Sequence, residues 1–265
     1  MHALVNIAVS AARAAGNLIM RNLERADTLQ VTRKSLNDFV SDVDRNAEAE
    51  IVRQIRKAYP DHAIVAEEGG ASGKHDFTWI IDPLDGTTNF LHRFPHFAVS
   101  IGVQHKGKLE HGVIYAPCTQ DLFAASRGVG AILNGRKIRV SKTSQLEDSL
   151  IGTGVPIGAG SNLDAYLPQL RAIVEKTAGV RRAGSAALDL AYVACGRLDA
   201  FWELNLKPWD MAAGILMVQE AGGIVSDLYG GDADQALGSG NILAASPKLY
   251  DLIGPLLRNR TPAKA

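Results

Sequence analysis

The chain has 265 residues, 46% of them hydrophobic, which is enough for one large domain or two closely packed ones. Its 28 basic and 28 acidic residues cancel, so charge gives no reason to expect direct nucleic-acid binding or an anionic membrane as partner. Cys118 and Cys195 lack CxxC spacing and read as two reduced thiols rather than a zinc site or a disulfide framework.

Met1-His2-Ala3-Leu4 lacks the basic-then-apolar pattern of a secretion signal. No stretch approaches the roughly 20 apolar residues of a membrane span, so a cytoplasmic protein with no membrane partner is expected. Leu4, Ile7, Ala8, Ala11, Ala15, Leu18 and Ile19 recur at helical spacing, which predicts an amphipathic helix from Leu4 to Asn22. A second helix is expected from near Ser41 through Ala47, Ile51, Ile55 and Ala58, stopped by Pro60. Strands follow at Ala63 to Ala66, Thr78 to Ile81, Phe97 to Gln104, Gly112 to Tyr115 and Asp121 to Ala125, with turns at Lys106-Gly107 and Asn134-Gly135. Ser185 to Cys195 reads as helix and Asp199 to Glu203 as strand; Asp210 to Ala221 reads as a helix ended by Gly222-Gly223. Blocks of strand and helix, rather than regular βαβ units, favour a layered α+β architecture. A soft boundary near 140–150 separates an N-terminal half, 1–145, from a C-terminal half, 146–265.

The densest chemical signal is Trp79-Ile80-Ile81-Asp82-Pro83-Leu84-Asp85-Gly86-Thr87-Thr88-Asn89-Phe90. Pro83 fixes φ and removes a donor, so the chain is expected to leave the strand there in a rigid turn. Asp82 and Asp85 then point to one place, with the Leu84 carbonyl between them. These are hard oxygen ligands, suited to Mg²⁺ rather than zinc. Gly86 permits close approach of a ligand, and N–H groups of Gly86 and Thr87 at a helix start would hold phosphate. An ordinary Asp-Pro-x-Asp-Gly turn would look the same. Glu67-Glu68-Gly69-Gly70 puts acids at a strand end, or in a solvated loop. Asp210 reads as the N-cap of its helix, and Asp44 as a capping-box partner of Ser41. The spacing of His92, His96, His105 and His111 suits no zinc site, and all four read as surface or packing residues.

Taken together these pieces resemble the inositol monophosphatase family over essentially the whole length. Trp79 through His92 is similar to the family's first signature, and Trp209-Asp210-Met211-Ala212-Ala213-Gly214 through Gly222-Gly223 to its second. The stretches Arg182-Ala183-Gly184-Ser185-Ala186-Ala187 and Glu220-Ala221-Gly222-Gly223 look closest to its bacterial SuhB-type branch. The resemblance implies an alternating αβαβα sandwich of the inositol monophosphatase and fructose-1,6-bisphosphatase type, assembled as a homodimer. It implies two or three Mg²⁺ ions on Glu67, Asp82, the Leu84 carbonyl, Asp85 and Asp210. Thr87 and Asp44 match the positions that orient the attacking water, with Glu67 beside them, and Lys34 matches a basic residue near the opening. Gly184, Ser185, Ala186, Glu203 and Asp210 match the region that holds the substrate's hydroxyls, and Gly86 and Thr87 the phosphate seat. Ala66 stands where a glycine often precedes the first acid.

The activity so implied is hydrolysis of inositol 1-phosphate and related small polyol phosphate monoesters, with lithium sensitivity. Fructose-1,6-bisphosphatases and phosphatases of phosphoadenosine nucleotides or NADP share the metal core and are the competing enzymatic readings. SuhB-type proteins are also associated with ribosomal RNA transcription antitermination, alongside RNA polymerase and Nus factors and apart from catalysis. Arg181-Arg182, with a further basic run at Arg136, Lys137, Arg139 and Lys142, is the local feature that could dock such a partner; solvated or ion-paired arginines are the ordinary alternative.

Overall fold

The computed structural model of the protein describes residues 2–23, 31–35, 38–156 and 163–258, the side chains of 31–41 excepted. Lys34 and the Ser41 hydroxyl therefore lie outside the described side chains. The chain opens with α1 (Ala3–Leu23), a small hairpin of β1 (Val31–Ser35) and β2 (Asp38–Ser41), and α2 (Asp42–Ala58). There follow β3 (Ala63–Ala66), β4 (Gly70–Ser72), β5 (Phe77–Asp85), the short α3 (Thr87–Leu91), and β6 (Ala98–His105). Next come β7 (Lys108–Ala116), β8 (Asp121–Ser126), β9 (Gly130–Leu133) and β10 (Arg136–Lys137). These strands form an eight-stranded sheet of order β10-β9-β8-β7-β6-β5-β3-β4. Only the β3–β5 pair in it is parallel.

The second half contributes β11 (Leu150–Thr153), α4 (Leu163–Val174), β12 (Gly179–Arg181), α5 (Ala186–Ala194) and β13 (Ala200–Glu203). It continues with α6 (Pro208–Glu220), β14 (Ile224–Asp227), α7 (Ala233–Ser239), β15 (Ile242–Ala245) and α8 (Pro247–Arg258). Its five strands form a second sheet, β12-β11-β13-β15-β14.

Alternation along the strands explains the layers, because successive side chains point to opposite faces. In β5, Trp79 and Ile81 join a buried cluster with α1 and α2, whereas Ile80 joins the cluster built on α5 and α6. The second sheet covers α5 and α6 from the other side, through Phe201, Val225, Ile242 and Ala244. Its outer face packs Ile151, Trp202 and Leu243 against Tyr166 and Ile173 of α4 and Leu249, Ile253 and Leu257 of α8. The order is helices, sheet, helices, sheet, helices, which is the αβαβα sandwich. The middle helix layer approaches the first sheet so closely that Gly102 and Gly112 are needed beneath it. A Cβ on Gly112 would lie 2.8 Å from the carbonyl oxygen of Ala213.

Two expectations need correction. By length and composition α1 is apolar enough to cross a membrane, contrary to the expectation that no stretch would be. Its apolar face, Leu4, Val5, Ala8, Ala11, Ala12, Ala15 and Ile19, is buried against α2 and the first sheet. Pro83 does not end its strand either: β5 runs on to Asp85. The pairing with β6 shifts register between Asp82 and Asp85, so the proline sits in a bulge where no ladder donor is required.

Candidate active site

The bulge decides what the two aspartates do. Three residues apart in a regular strand, Asp82 and Asp85 would face opposite sides of the sheet. Asp82 pairs with Ser100 and Asp85 with Ala98, two residues apart on β6, so one extra residue on β5 returns both to the same face. That face is the one under α5 and α6, and the Ser100 hydroxyl donates to the Trp209 carbonyl at the start of α6.

Neighbouring elements bring further oxygens. β3 lies parallel to β5 with Ala66 opposite Ile81, and the next N–H, of Glu67, donates to the Ile81 carbonyl. Glu67 is thereby carried alongside Asp82 at the carboxyl ends of two parallel strands. Asp210 arrives from α6. It is not the N-cap, as its sequence setting indicated: Pro208 takes the first helical position, Lys207 is the cap, and the Asp210 carboxylate reaches back to accept the Lys207 N–H at 2.7 Å. The preference of proline for that position sets the helix start three residues earlier than a cap at Asp210 would.

Burial and mutual repulsion mark this cluster. Asp82, 2% exposed, has its pKa pushed well above the usual carboxylate range by desolvation, then by Glu67, Asp85 and Asp210. Burial raises Asp85 to about 6, even though it accepts the Ser185 hydroxyl at 2.6 Å and the Ala187 N–H at 2.7 Å. Asp210 is raised to about 8 by burial and then by Asp85, and it shares a hydrogen bond with Asp82. Such a set is unfavourable by itself and becomes favourable around a cation. Carboxylates and carbonyls are donors for a hard ion. Among the described residues no three His, Cys, Asp or Glu side chains close into a cage by themselves.

Beside the carboxylates stands a hydroxyl–carboxylate pair, Thr87 and Asp44. The Thr87 hydroxyl donates to Asp44 at 2.8 Å, and its oxygen lies 3.2 Å from the Leu84 carbonyl. Asp44 is wholly buried in the first turn of α2, turned inward to Thr87. Gly86, with φ 100°, precedes α3; a Cβ there would come within 3.1–3.2 Å of the His96 and Gly184 carbonyl oxygens and of Phe97. α3 has only five residues, so the expected phosphate seat rests on individual N–H groups rather than on a helix dipole.

The expected substrate-side residues fall into two groups. Ser185 is 1% exposed, bonds Asp85 and caps α5 through the Leu188 N–H; Ala186 is also buried. Gly184 and Glu203 are partly buried. Glu203 ends β13, and its carboxyl group occupies the space where Gly154 would carry a Cβ. Burial raises its pKa strongly; Asp189, Asp210 and Asp85 add to the rise and Arg182 opposes it. The two arginines differ: Arg181 ends the edge strand β12 and donates to the Val180 carbonyl, whereas Arg182 leans over Gly184. Arg136, Lys137, Arg139 and Lys142 are exposed.

The sequence reading missed three residues. Glu48, four residues after Asp44 and on the same face of α2, accepts the N–H groups of Glu68 and Gly69 and so fixes the turn after Glu67. Asn89 donates to the carbonyls of His96, Ala183 and Gly184, tying the first signature to the substrate loop. Asp189 is buried in α5 with Oδ1 unpartnered. The four-residue offset from Asp44 was a readable signal for Glu48; nothing local marks Asn89 or Asp189. The histidines behave as packing residues: His111 bonds Ser126 and stacks on His2, and His105 stacks on Phe77. Both cysteines are free thiols.

The layered fold is that of a family of phosphatases that are generally metal-dependent. The chain belongs to the inositol monophosphatase family, whose profile matches residues 1–261. It is 53% identical to the Nus factor SuhB of Pseudomonas aeruginosa, over 99% of this chain and 98% of that protein. The crystal structure of the extragenic suppressor protein SuhB from Bartonella henselae superposes with a TM-score of 0.93 at 46% identity, covering 97% and 99% of the two chains. The inositol monophosphatase of Anabaena (Nostoc) sp. PCC 7120 does so with 0.83 at 37% identity, covering 98% and 96%.

Proposed function

We propose that the protein is a Mg²⁺-dependent phosphatase of inositol 1-phosphate and related small polyol phosphate monoesters. The observation that carries this reading is the bulge in β5, which aims Asp82 and Asp85 at the place reached by Glu67 and Asp210. Glu67, Asp82 and the Leu84 carbonyl would hold one Mg²⁺; Asp82, Asp85 and Asp210 would hold another. Mg²⁺ bound there would neutralise the phosphate and its leaving oxygen and lower the pKa of water.

The chain's own groups do the positioning. The Thr87 hydroxyl donates a hydrogen bond to Asp44, so its oxygen would accept one from the attacking water; as the water loses a proton to the hydroxyl oxygen, the hydroxyl's own proton would pass to Asp44. The N–H groups of Gly86 and Thr87 would carry the phosphate. Ser185 and the Ala187 N–H hold one oxygen of Asp85, leaving the other for the cation. Glu203 would accept hydrogen bonds from vicinal hydroxyls, which distinguishes a polyol from a simple ester. Lithium sensitivity and a homodimer belong to the same reading; the second is tested by analytical ultracentrifugation.

The deciding experiment is phosphate release from inositol 1-phosphate with Mg²⁺, with EDTA, and by Asp85→Asn. Release that requires Mg²⁺ and is lost in the variant supports the proposal. Mg²⁺-independent release, or undiminished turnover by the variant, refutes the site.

A second reading is favoured by the name of the P. aeruginosa relative, which is a Nus factor. In it the chain also joins a cytoplasmic transcription complex of RNA polymerase and Nus factors, with the Arg181–Arg182 edge as docking surface. Arg181, exposed on an edge strand, separates the two roles. Arg181→Ala should weaken capture of the chain by a reconstituted complex and spare hydrolysis; unchanged capture would remove the docking surface from the proposal.

A further inference from the structure

The turn that carries Glu67 is held unequally from its two sides. Before it, β3 pairs with β5 as well as β4, and the Glu67 N–H donates to the Ile81 carbonyl at 3.1 Å. After it, β4 is a three-residue strand at the edge of the eight-stranded sheet, and all its residues are exposed. A short exposed edge of this kind opens easily. Ala66 pairs with Gly70, so the connection between the strands is Glu67-Glu68-Gly69.

Glu48 supplies what the hairpin lacks. It is 6% exposed in α2, and each of its carboxylate oxygens accepts one backbone N–H: Oε2 from Glu68 at 2.8 Å, Oε1 from Gly69 at 2.7 Å. Hydrogen bonds to a charged acceptor are about twice as strong as neutral ones. Gly69 is fitted to the contact. Its φ is not left-handed. A Cβ there would lie 2.7 Å from Oε1, and among the described residues it would meet no group within 4 Å except the Glu48 carboxyl. Asp44 lies on the same face of α2, four residues earlier and about 6 Å along the axis, and accepts the Thr87 hydroxyl at 2.8 Å. One helix thus fixes two parts of the site, one turn apart.

We propose that Glu48 is a positioning residue for the cation site: by gripping the N–H groups of Glu68 and Gly69 it presets the Glu67 carboxylate beside Asp82, and so sets how tightly an ion is held. The inference rests on the metal-dependent reading above. Glu67 is the residue next to the grip, so any rotation of the turn moves its carboxylate. Released from Glu48, the turn samples several arrangements of which one suits the ion, and affinity falls by that fraction while the reacting groups stay as they are.

The test is the apparent Mn²⁺ affinity of the full-length protein, read from the electron paramagnetic resonance signal of the free ion. Mn²⁺ takes the same oxygen donors as Mg²⁺. Wild type is compared with Glu48→Ala, Glu48→Gln, Gly69→Ala and, as ligand control, Glu67→Gln. Affinity should fall about tenfold or more in Glu48→Ala and Gly69→Ala, the range for lost hydrogen-bond partners of a metal ligand. Gly69→Ala keeps every charge and displaces the carboxylate, so its loss is positional rather than electrostatic. Glu48→Gln keeps one accepting oxygen and should fall between. The Mg²⁺ needed for half-maximal phosphate release from inositol 1-phosphate should rise about tenfold in the same two variants, with kcat at saturating Mg²⁺ within about threefold. Their melting temperature in EDTA should stay close to wild type, because water reaches the exposed Gly69.

Unchanged Mn²⁺ affinity in Glu48→Ala and Gly69→Ala, with weak binding by Glu67→Gln, would overturn the inference and leave the metal site intact. A loss confined to Glu48→Ala would do the same, as an effect of charge alone. So would a melting temperature in EDTA that fell in step with affinity in both variants, which would make Glu48 a residue of the fold. A wild type that binds no Mn²⁺, or Glu67→Gln binding as wild type does, would overturn the metal reading and the inference with it.

Discussion

Thr87 and Asp44 are 43 positions apart, and in the proposed mechanism their 2.8 Å hydrogen bond carries a proton away from the attacking water. The threonine matters for its hydroxyl, not its shape. Thr87→Val keeps the volume and removes the donor, so kcat should fall by about 100-fold or more, in the range for lost general acid–base groups. Serine at the same place should restore most of it. If valine turned over inositol 1-phosphate as fast as wild type in a phosphate-release assay, the pair would have no part in the chemistry. Asp85 shows the opposite design: its Oδ2 is already satisfied by Ser185 and the Ala187 N–H.

At the scale of elements, the site depends on how closely a helix and a loop are held to β5 and β6. α6 delivers Asp210, and it can reach the first sheet only because Gly112 has no side chain beneath the Ala213 backbone. A backbone carbonyl at 2.8 Å from the new carbon cannot rotate away. Gly112→Ala should therefore destabilise the protein by about 1–3 kcal/mol through overpacking, measured by urea unfolding with an unchanged m-value. A loss under about 0.5 kcal/mol would mean that the helix slides freely. Asn89 plays the corresponding role for the loop. Its amide reaches the His96, Ala183 and Gly184 carbonyls, and Asn89→Ala leaves these acceptors without it. We expect a loss of about 1–3 kcal/mol and, if the proposed substrate region is right, a raised KM for inositol 1-phosphate, because the proposal places Gly184 there. A stability loss with KM unchanged would confine Asn89 to the fold.

For the whole molecule, the carboxylate cluster links stability, pH and metal. The folded pKa values of Asp85 and Asp210, about 6 and about 8, lie above the unfolded value near 3.9. The metal-free folded state therefore binds more protons than the unfolded one between about pH 4 and 8. Its stability from these groups is greatest below the unfolded value and is lost as pH rises through the folded values. A cation replaces those protons. Added Mg²⁺ should then raise the melting temperature more at pH 8 than at pH 5.5, relative to EDTA, and release protons on binding near neutral pH. An equal thermal shift at both pH values, with no proton release, would show that the acids do not meet at one ion. His111 adds a change of opposite sign. Its pKa is lowered to about 4, by burial and then by His2, so it favours the folded state less as pH falls from about 6.5 toward 4.

What the sequence alone determined was local. The Lys106-Gly107 and Asn134-Gly135 turns have positive φ at both residues, because those dipeptides suit a tight hairpin whatever surrounds them. Helical periodicity located α1 and α2 to within a residue or two. Gly222, with φ 89°, ends α6 as glycine does after a helix. The acids of the two signatures were also legible, since their residue types and spacing reflect ligand chemistry. Tertiary structure decided how they meet. Pro83 alone reads as the end of a strand, and only pairing with β6 turns it into a bulge that puts Asp82 and Asp85 on one face. Asp210 reads as a cap until Pro208 and the packing of α6 move it inside the helix. Glu48, Asn89 and Asp189 left little or no mark on the sequence, because their partners lie far away along the chain or, for Asp189, have no short-range trace. Periodicity and turn chemistry act over a few residues; the site is made by contacts between strands and helices that only the folded layers bring together.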